Sequence, residues 1–315
     1  MTADPARYAF RSALVAVVVA SGSSCGGGGS GQAPSAPTPV AQSASALPYG
    51  QATGGGGVPC PPGGASGTAC SSLVVACPSV PGGSATLGIT RPASTALNRG
   101  TIVLTTGGNG TNFRDSALTP AMISTFVGDG LTVVQIAWDP PGIWGDARAR
   151  TVACRYATAA RWIYDNVHVG GRSRLFAAQG TSGGAAQIAF GLAHYGVSEF
   201  LDLANLGGGP PTCPLCTCDH VTAIEPLLPA SLDFDLCSPP PPSIRDPLLN
   251  YPATVVQFFV GDQDLGNPTV DHGKRYYDVI TSAKSYTVVL NTPHVVESSQ
   301  AGVDAYVAAV RTALK

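Results

Sequence analysis

The feature that most constrains this chain is an alternation. From residue 72 onward, short runs rich in β-branched and aromatic residues alternate with longer stretches of helical periodicity. The runs SLVVACP, SATLGITRP, GTIVLTTGG, LTVVQIAWD, RLFAAQG, EFLDLANLGGG, ATVVQFFVGD and SYTVVLNTP each have the length of a strand, and most close on Gly, Pro, Asn or Asp. Helices are predicted between them, near residues 117–128, 147–166, 183–195, 268–282 and 299–314. Parallel neighbours need a crossover of a dozen or so residues, usually a helix. The alternation therefore predicts an α/β fold, a mostly parallel eight-stranded sheet with helices on both faces.

A chain of 315 residues, 44% of them hydrophobic, can bury one large core. We expect a single α/β domain over residues 60–315. Residues 212–250, rich in Pro and Cys, interrupt the alternation after the sixth strand and read as a lid-like insertion. Residues 26–59 are almost wholly Gly, Ser, Ala, Pro and Gln, too poor in apolar area to offset backbone entropy, and read with Cys25 as a flexible tether. Charged residues make up only 11%, the formal net charge is −2, and no Lys or Arg cluster occurs. A nucleic-acid partner is excluded on that ground, because counterion release has no source here.

Residues 1–24 carry Arg7 and Arg11, then the apolar run ALVAVVVA, then small residues, the layout of an export signal. The run is too short to span a bilayer. Cys25, followed by GGGGSG, resembles the lipidation site of bacterial lipoproteins, which would make a lipid anchor the chain's one contact with a membrane. Gly22 departs from the leucine favoured three residues before that cysteine. Cleavage near Ala20, giving a freely secreted protein, is the alternative. Either route leads out of the cytoplasm, where thiols oxidise. Without Cys25, eight of the nine cysteines remain, an even number that fits pairing as disulfides. The cluster CPLCTCDH offers Cys213, Cys216, Cys218 and His220 as alternative zinc ligands. Disulfides are favoured for an exported chain, and no metal site is expected.

Candidate chemistry centres on AAQGTSGGAAQ, residues 177–187. Ser182 sits in a Gly-x-Ser-x-Gly pattern between a strand-like and a helix-like segment, the context of a nucleophile elbow. Glycines relieve the crowding of so sharp a turn, and the helix N-terminus favours a developing anion. A serine needs a base held by a carboxylate. GDQDLGNP supplies Asp262 and Asp264 after the seventh strand, and NTPHVVES supplies His294 after the eighth.

With these residues in the order serine, acid, histidine, residues 72–315 resemble the α/β-hydrolase family. The resemblance implies Ser182 as nucleophile, His294 as base and Asp264, three residues after Gly261, as the acid. Asp262 is expected to serve the turn, and Asp202 is the reserve acid. His168, His194, His220 and His272 fit the pattern less well. The family's oxyanion hole maps onto the backbone N–H of Gly183 and of Gly108 in TTGGNGTNF, with Asn109 as the alternative. Thr106 stands where a histidine is usual. Trp138, Trp144 and Phe113 are candidates for the pocket wall, Trp138 foremost for substrate contact.

These residues imply an extracytoplasmic serine hydrolase acting on small or polymeric carboxylic esters, without cofactor, as a monomer. A peptidase, lipase or polyester depolymerase would use the same triad. A non-catalytic envelope or binding lipoprotein on the same scaffold is the rival from another class.

Overall fold

A computed structural model describes residues 46–78, 80–108, 110–139, 149–209 and 248–314. The leader, Cys25, Asn109, Trp144 and the insertion through residue 247, with its four cysteines and His220, lie outside the described residues.

The strands are β1 (Gln51–Gly57), β2 (Ala69–Cys77), β3 (Val80–Thr90), β4 (Gly100–Thr105), β5 (Leu131–Asp139), β6 (Leu175–Thr181), β7 (Leu203–Gly207), β8 (Val255–Gly261) and β9 (Lys284–Val289). The helices are α1 (Thr119–Gly128), α2 (Ala149–Asn166), α3 (Gly183–Tyr195), α4 (Pro268–Val279) and α5 (Gln300–Ala313). One nine-stranded sheet runs in the order β1-β2-β3-β5-β4-β6-β7-β8-β9. Pairings from β1 to β5 along this order are antiparallel, and all others, from β5–β4 to β8–β9, are parallel.

The ninth strand is β1, inside the stretch expected to be tether. QATGGGG is mostly exposed and is held by pairing with β2, with a shift of register between Gly54 and Gly57. Backbone hydrogen bonds, not buried side chains, make this strand, so its composition hides it. Gly54 has a local reason: a Cβ there would come within 2.5 Å of Trp162 Cζ2 on α2.

β4 and β6 are buried along their whole length, as strands covered on both faces must be. On one face Val103 and Ala178 pack with Tyr156 and Ile163 of α2, Ile188 and Phe190 of α3, and Tyr276 of α4. On the other, Ile102 and Ala177 pack with Ile123 and Phe126 of α1 and Tyr306 and Val310 of α5. Burial of each large apolar side chain contributes roughly 1.5–3 kcal/mol. Two disulfides form among the described cysteines. Cys60–Cys70 closes the loop before β2, and Cys77–Cys154 joins β2 to α2.

The chain leaves β4 for β5 on one side and returns to β6 on the other. Loops after β4 and β6 thus diverge at the carboxyl edge of the sheet's centre, the crevice where open α/β sheets hold their ligands.

Candidate active site

Ser182 joins β6 directly to α3 with φ 54° and ψ −119°, and its side chain makes no capping bond to the helix it precedes. Only one other non-glycine residue among those described, Asn291, has positive φ. A strained serine persists only where its surroundings over-determine it, and here they do. The Ser182 N–H donates to Gly207 O at the end of β7 (2.9 Å), and the Thr105 hydroxyl of β4 donates to Gly184 O (3.1 Å). A Cβ on Gly184 would lie 2.5 Å from Thr105 O, and one on Gly180 would lie 2.5 Å from Gly184 C. Steric closure against β4 therefore dictates both outer glycines of the motif.

Asp264 ends a short 3-10 turn after β8 and is 7% exposed. Its Oδ2 lies 2.7 Å from His294 Nδ1, and its Oδ1 accepts from Asn267 Nδ2 at 2.9 Å. An ionised carboxylate only accepts, so Nδ1 carries the proton and Nε2 is left as the basic nitrogen. Asn267 caps α4 through the Thr269 N–H, and the Thr269 hydroxyl lies 3.0 Å from both Gly208 O and Asn267 Oδ1, its single proton able to go to either. The imidazole borders the same strand end that holds the serine. A Cβ on Gly208, which has φ +64°, would meet His294 Cε1 at 3.1 Å, while neighbouring Gly207 accepts from the Ser182 N–H. Ser182, Asp264 and His294 therefore converge on one rim.

Asp262, expected to serve a turn, accepts from Thr292 N at 3.0 Å and so fixes the segment leading to His294. The backbone N–H groups of Thr292 and Asn291 hold its carboxyl below the usual range. Asp202, the reserve acid, precedes β7 and accepts from Phe176 N near the start of β6. That is the opposite, amino-terminal edge of the sheet, so Asp202 is far from the serine's rim. His168 bonds Thr101 and Gly171 on that side too, while His194 and His272 are buried in α3 and α4.

The two expected oxyanion donors are neighbours. A Cβ on Gly183 would lie 2.7 Å from Gly108 O and 3.2 Å from Gly108 N. Gly108 itself has φ +56°, and among the described residues a Cβ there would meet nothing within 4 Å. In place of the family's histidine, the loop is held by Thr106 Oγ1, which donates to Asn112 O, and by Asp115 Oδ2, which accepts from the Gly107 N–H at 2.6 Å.

Trp138 is 3% exposed, its indole N–H donates to Gln187 of α3, and its ring lies against Gly110. It backs the loop rather than offering a bare face. Phe113 is likewise buried, packed over Gly88.

Sequence reasoning missed Asp115, Thr181, Asn267 and Glu297. Of these, Asn267 carried a signal, since Asn-Pro after a strand marks a helix cap. Glu297 is buried, accepts from the Thr181 hydroxyl at 2.6 Å, and is pushed up to about 7 by burial and then by Asp115. Asp115 is pushed up to about 6 by burial, against the opposing pull of the Gly107 N–H and His294. Among the described residues no group of His, Cys, Asp and Glu is arranged to hold a metal ion.

This strand order, with a left-handed serine after the strand beside the switch point, defines the α/β-hydrolase fold. Acetyl xylan esterase 1 from Thermoanaerobacterium sp. JW/SL YS485 is similar at 16% identity over 82% of this chain and 87% of that chain, with a TM-score of 0.54. Est1E from Butyrivibrio proteoclasticus is similar at 10% identity, covering 76% and 96%, with a TM-score of 0.53. A hyperthermophilic esterase from the archaeon Pyrobaculum calidifontis follows at 16% identity, 78% and 85%, with a TM-score of 0.52. At these identities the likeness is one of fold. No protein-family model and no curated protein matches the sequence.

Proposed function

We propose that this chain is a serine hydrolase of carboxylic esters. The observation that carries the reading is the left-handed Ser182 on the rim it shares with the His294–Asp264 pair. Esterases among the structural neighbours support the substrate class. Ser182 Oγ attacks the ester carbonyl while His294 Nε2 takes its proton. Asp264, buried and steadied by Asn267, keeps the imidazole in that tautomer and stabilises its charged form. The N–H groups of Gly183 and Gly108 receive the developing oxyanion. The imidazolium then protonates the departing alcohol, forming the acyl-enzyme, and water activated by His294 releases the acid. Trp138 contributes by backing the loop that carries Gly108.

Ser182→Ala lowers kcat on p-nitrophenyl esters by about six orders of magnitude and abolishes labelling by a fluorophosphonate, with an unchanged circular dichroism spectrum. Wild-type turnover in that variant would refute the reading. A panel of rising acyl length, beside aminoacyl anilides, separates esterase from lipase and peptidase.

Two disulfides support an extracytoplasmic setting. Cys25 is the candidate anchor. Metabolic labelling with a radiolabelled fatty acid, lost in Cys25→Ala, tests it, and an unlabelled wild-type protein would leave free secretion.

A further inference from the structure

Two carboxyl side chains lie behind the rim and take no part in the steps above. Asp115 Oδ2 accepts from Gly107 N, beside the proposed donor Gly108. A Cβ on Gly107 would lie 3.5 Å from that oxygen, 3.2 Å from Thr181 O and 3.3 Å from Ser182 Cβ, so the carboxylate, the oxyanion loop and the elbow form one knot. The next residue, Ser116, donates its hydroxyl to Glu297 O at 2.7 Å. Glu297 follows His294 by three residues, and its Oε2 accepts from Thr181 Oγ1, adjacent to the nucleophile. Tyr306 of α5 brings its hydroxyl to 3.3 Å from Thr181 Oγ1.

We propose that Asp115 and Glu297 are positioning residues that brace three loops against one another: the oxyanion loop, the elbow of Ser182 and the turn after His294. The brace is tight while the pair carries at most one charge, and loosens when both carboxyls ionise. This inference rests on Ser182 and His294 acting as proposed above.

Among the described residues, the charged and titratable neighbours of the pair are His294 and Tyr306. Asp115 faces His294 and Glu297, while Glu297 faces Asp115, Thr181 and Tyr306. Burial raises both carboxyls, Glu297 further because Asp115 is beside it. The sign follows from linkage. A raised acid binds its proton more tightly in the folded site, so the favourable contribution is complete below the ordinary carboxylate range. It is lost as pH rises through about 6 for Asp115 and about 7 for Glu297.

The test uses the full chain, with concentrations fixed by fluorophosphonate titration so that only folded sites count. Glu297→Gln keeps an acceptor for Thr181 without the charge. Its kcat relative to wild type is expected to rise several-fold between about pH 5 and pH 8, with KM unchanged. Asp115→Ala is expected to lower kcat by about 10- to 100-fold with KM within about twofold, since an oxyanion donor is mispositioned while the groups that bind substrate stay in place. Asp115→Asn, which still accepts from Gly107, restores most of kcat. A flat ratio for Glu297→Gln, or wild-type kcat in Asp115→Ala, overturns the brace while an inactive Ser182→Ala leaves the nucleophile standing. An active Ser182→Ala sinks both.

Discussion

The two halves of the sheet are built on different terms. From β4 to β9 the strands are parallel, and β4, β6 and β7 are buried throughout, with helices on both faces. From β1 to β3 they are antiparallel, with one side partly open to solvent, as Val74 at 56% exposure illustrates. Both disulfides anchor in this second half. Every proposed catalytic group hangs from the carboxyl edge of the parallel half, after β4, β6, β8 and β9. One half therefore aims side chains, and the other adds crosslinks, backbone pairing and the buried Leu73, Val75 and Leu87 to the core over α2.

Asp264→Asn should break this division most sharply, after loss of the nucleophile itself. The amide can present its NH2 to His294 Nδ1, which stabilises the wrong tautomer. A loss in kcat of about 10⁴-fold is expected, with an unfolding midpoint close to wild type. Esterase assay beside thermal denaturation checks it, and a loss smaller than tenfold would assign the acid elsewhere.

The crosslinked half should respond in stability and not in rate. Replacing Cys77 and Cys154 together by Ala opens a loop of 77 residues and is expected to destabilise by about 4 kcal/mol, with kcat per folded molecule unchanged. Denaturant titration measures the first and active-site titration the second. A fall in kcat of the folded fraction would mean that the antiparallel half shapes the rim as well.

Smallest of all is Val74→Ser, on the open side of β2, expected to shift stability by about 0.5 kcal/mol or less and to leave activity alone. A larger shift in denaturant titration would reveal a covering surface over that strand.

What is legible in the sequence follows from local composition. Strands β4 to β7 are legible because burial on both faces leaves a continuous apolar run, β2, β3, β8 and β9 because their β-branched and aromatic residues still mark strands of the right length, and Ser182 because strand, turn and helix sit within a few residues. β1 is not, because QATGGGG is a strand only by virtue of its partner. Asp115 and Glu297 are illegible for a related reason. The Thr181 hydrogen bond spans 116 residues and the Ser116 hydrogen bond 181, and no local pattern encodes such meetings. The place of Trp138 after β5 suggests a pocket wall, but Gln187 on another element decides where its indole points. Histidine placement is legible only through the order of the three groups along the chain.

Thr105, Gly180 and Gly184 interlock so closely that the elbow has almost no room to drift. Gly108, by contrast, has no described residue within 4 Å of where a Cβ would sit. Selection, natural or in the laboratory, thus finds a frozen hinge beside a threshold that no described residue crowds. New substrate preferences should arise by rebuilding that threshold, while libraries that vary the hinge return mostly dead clones.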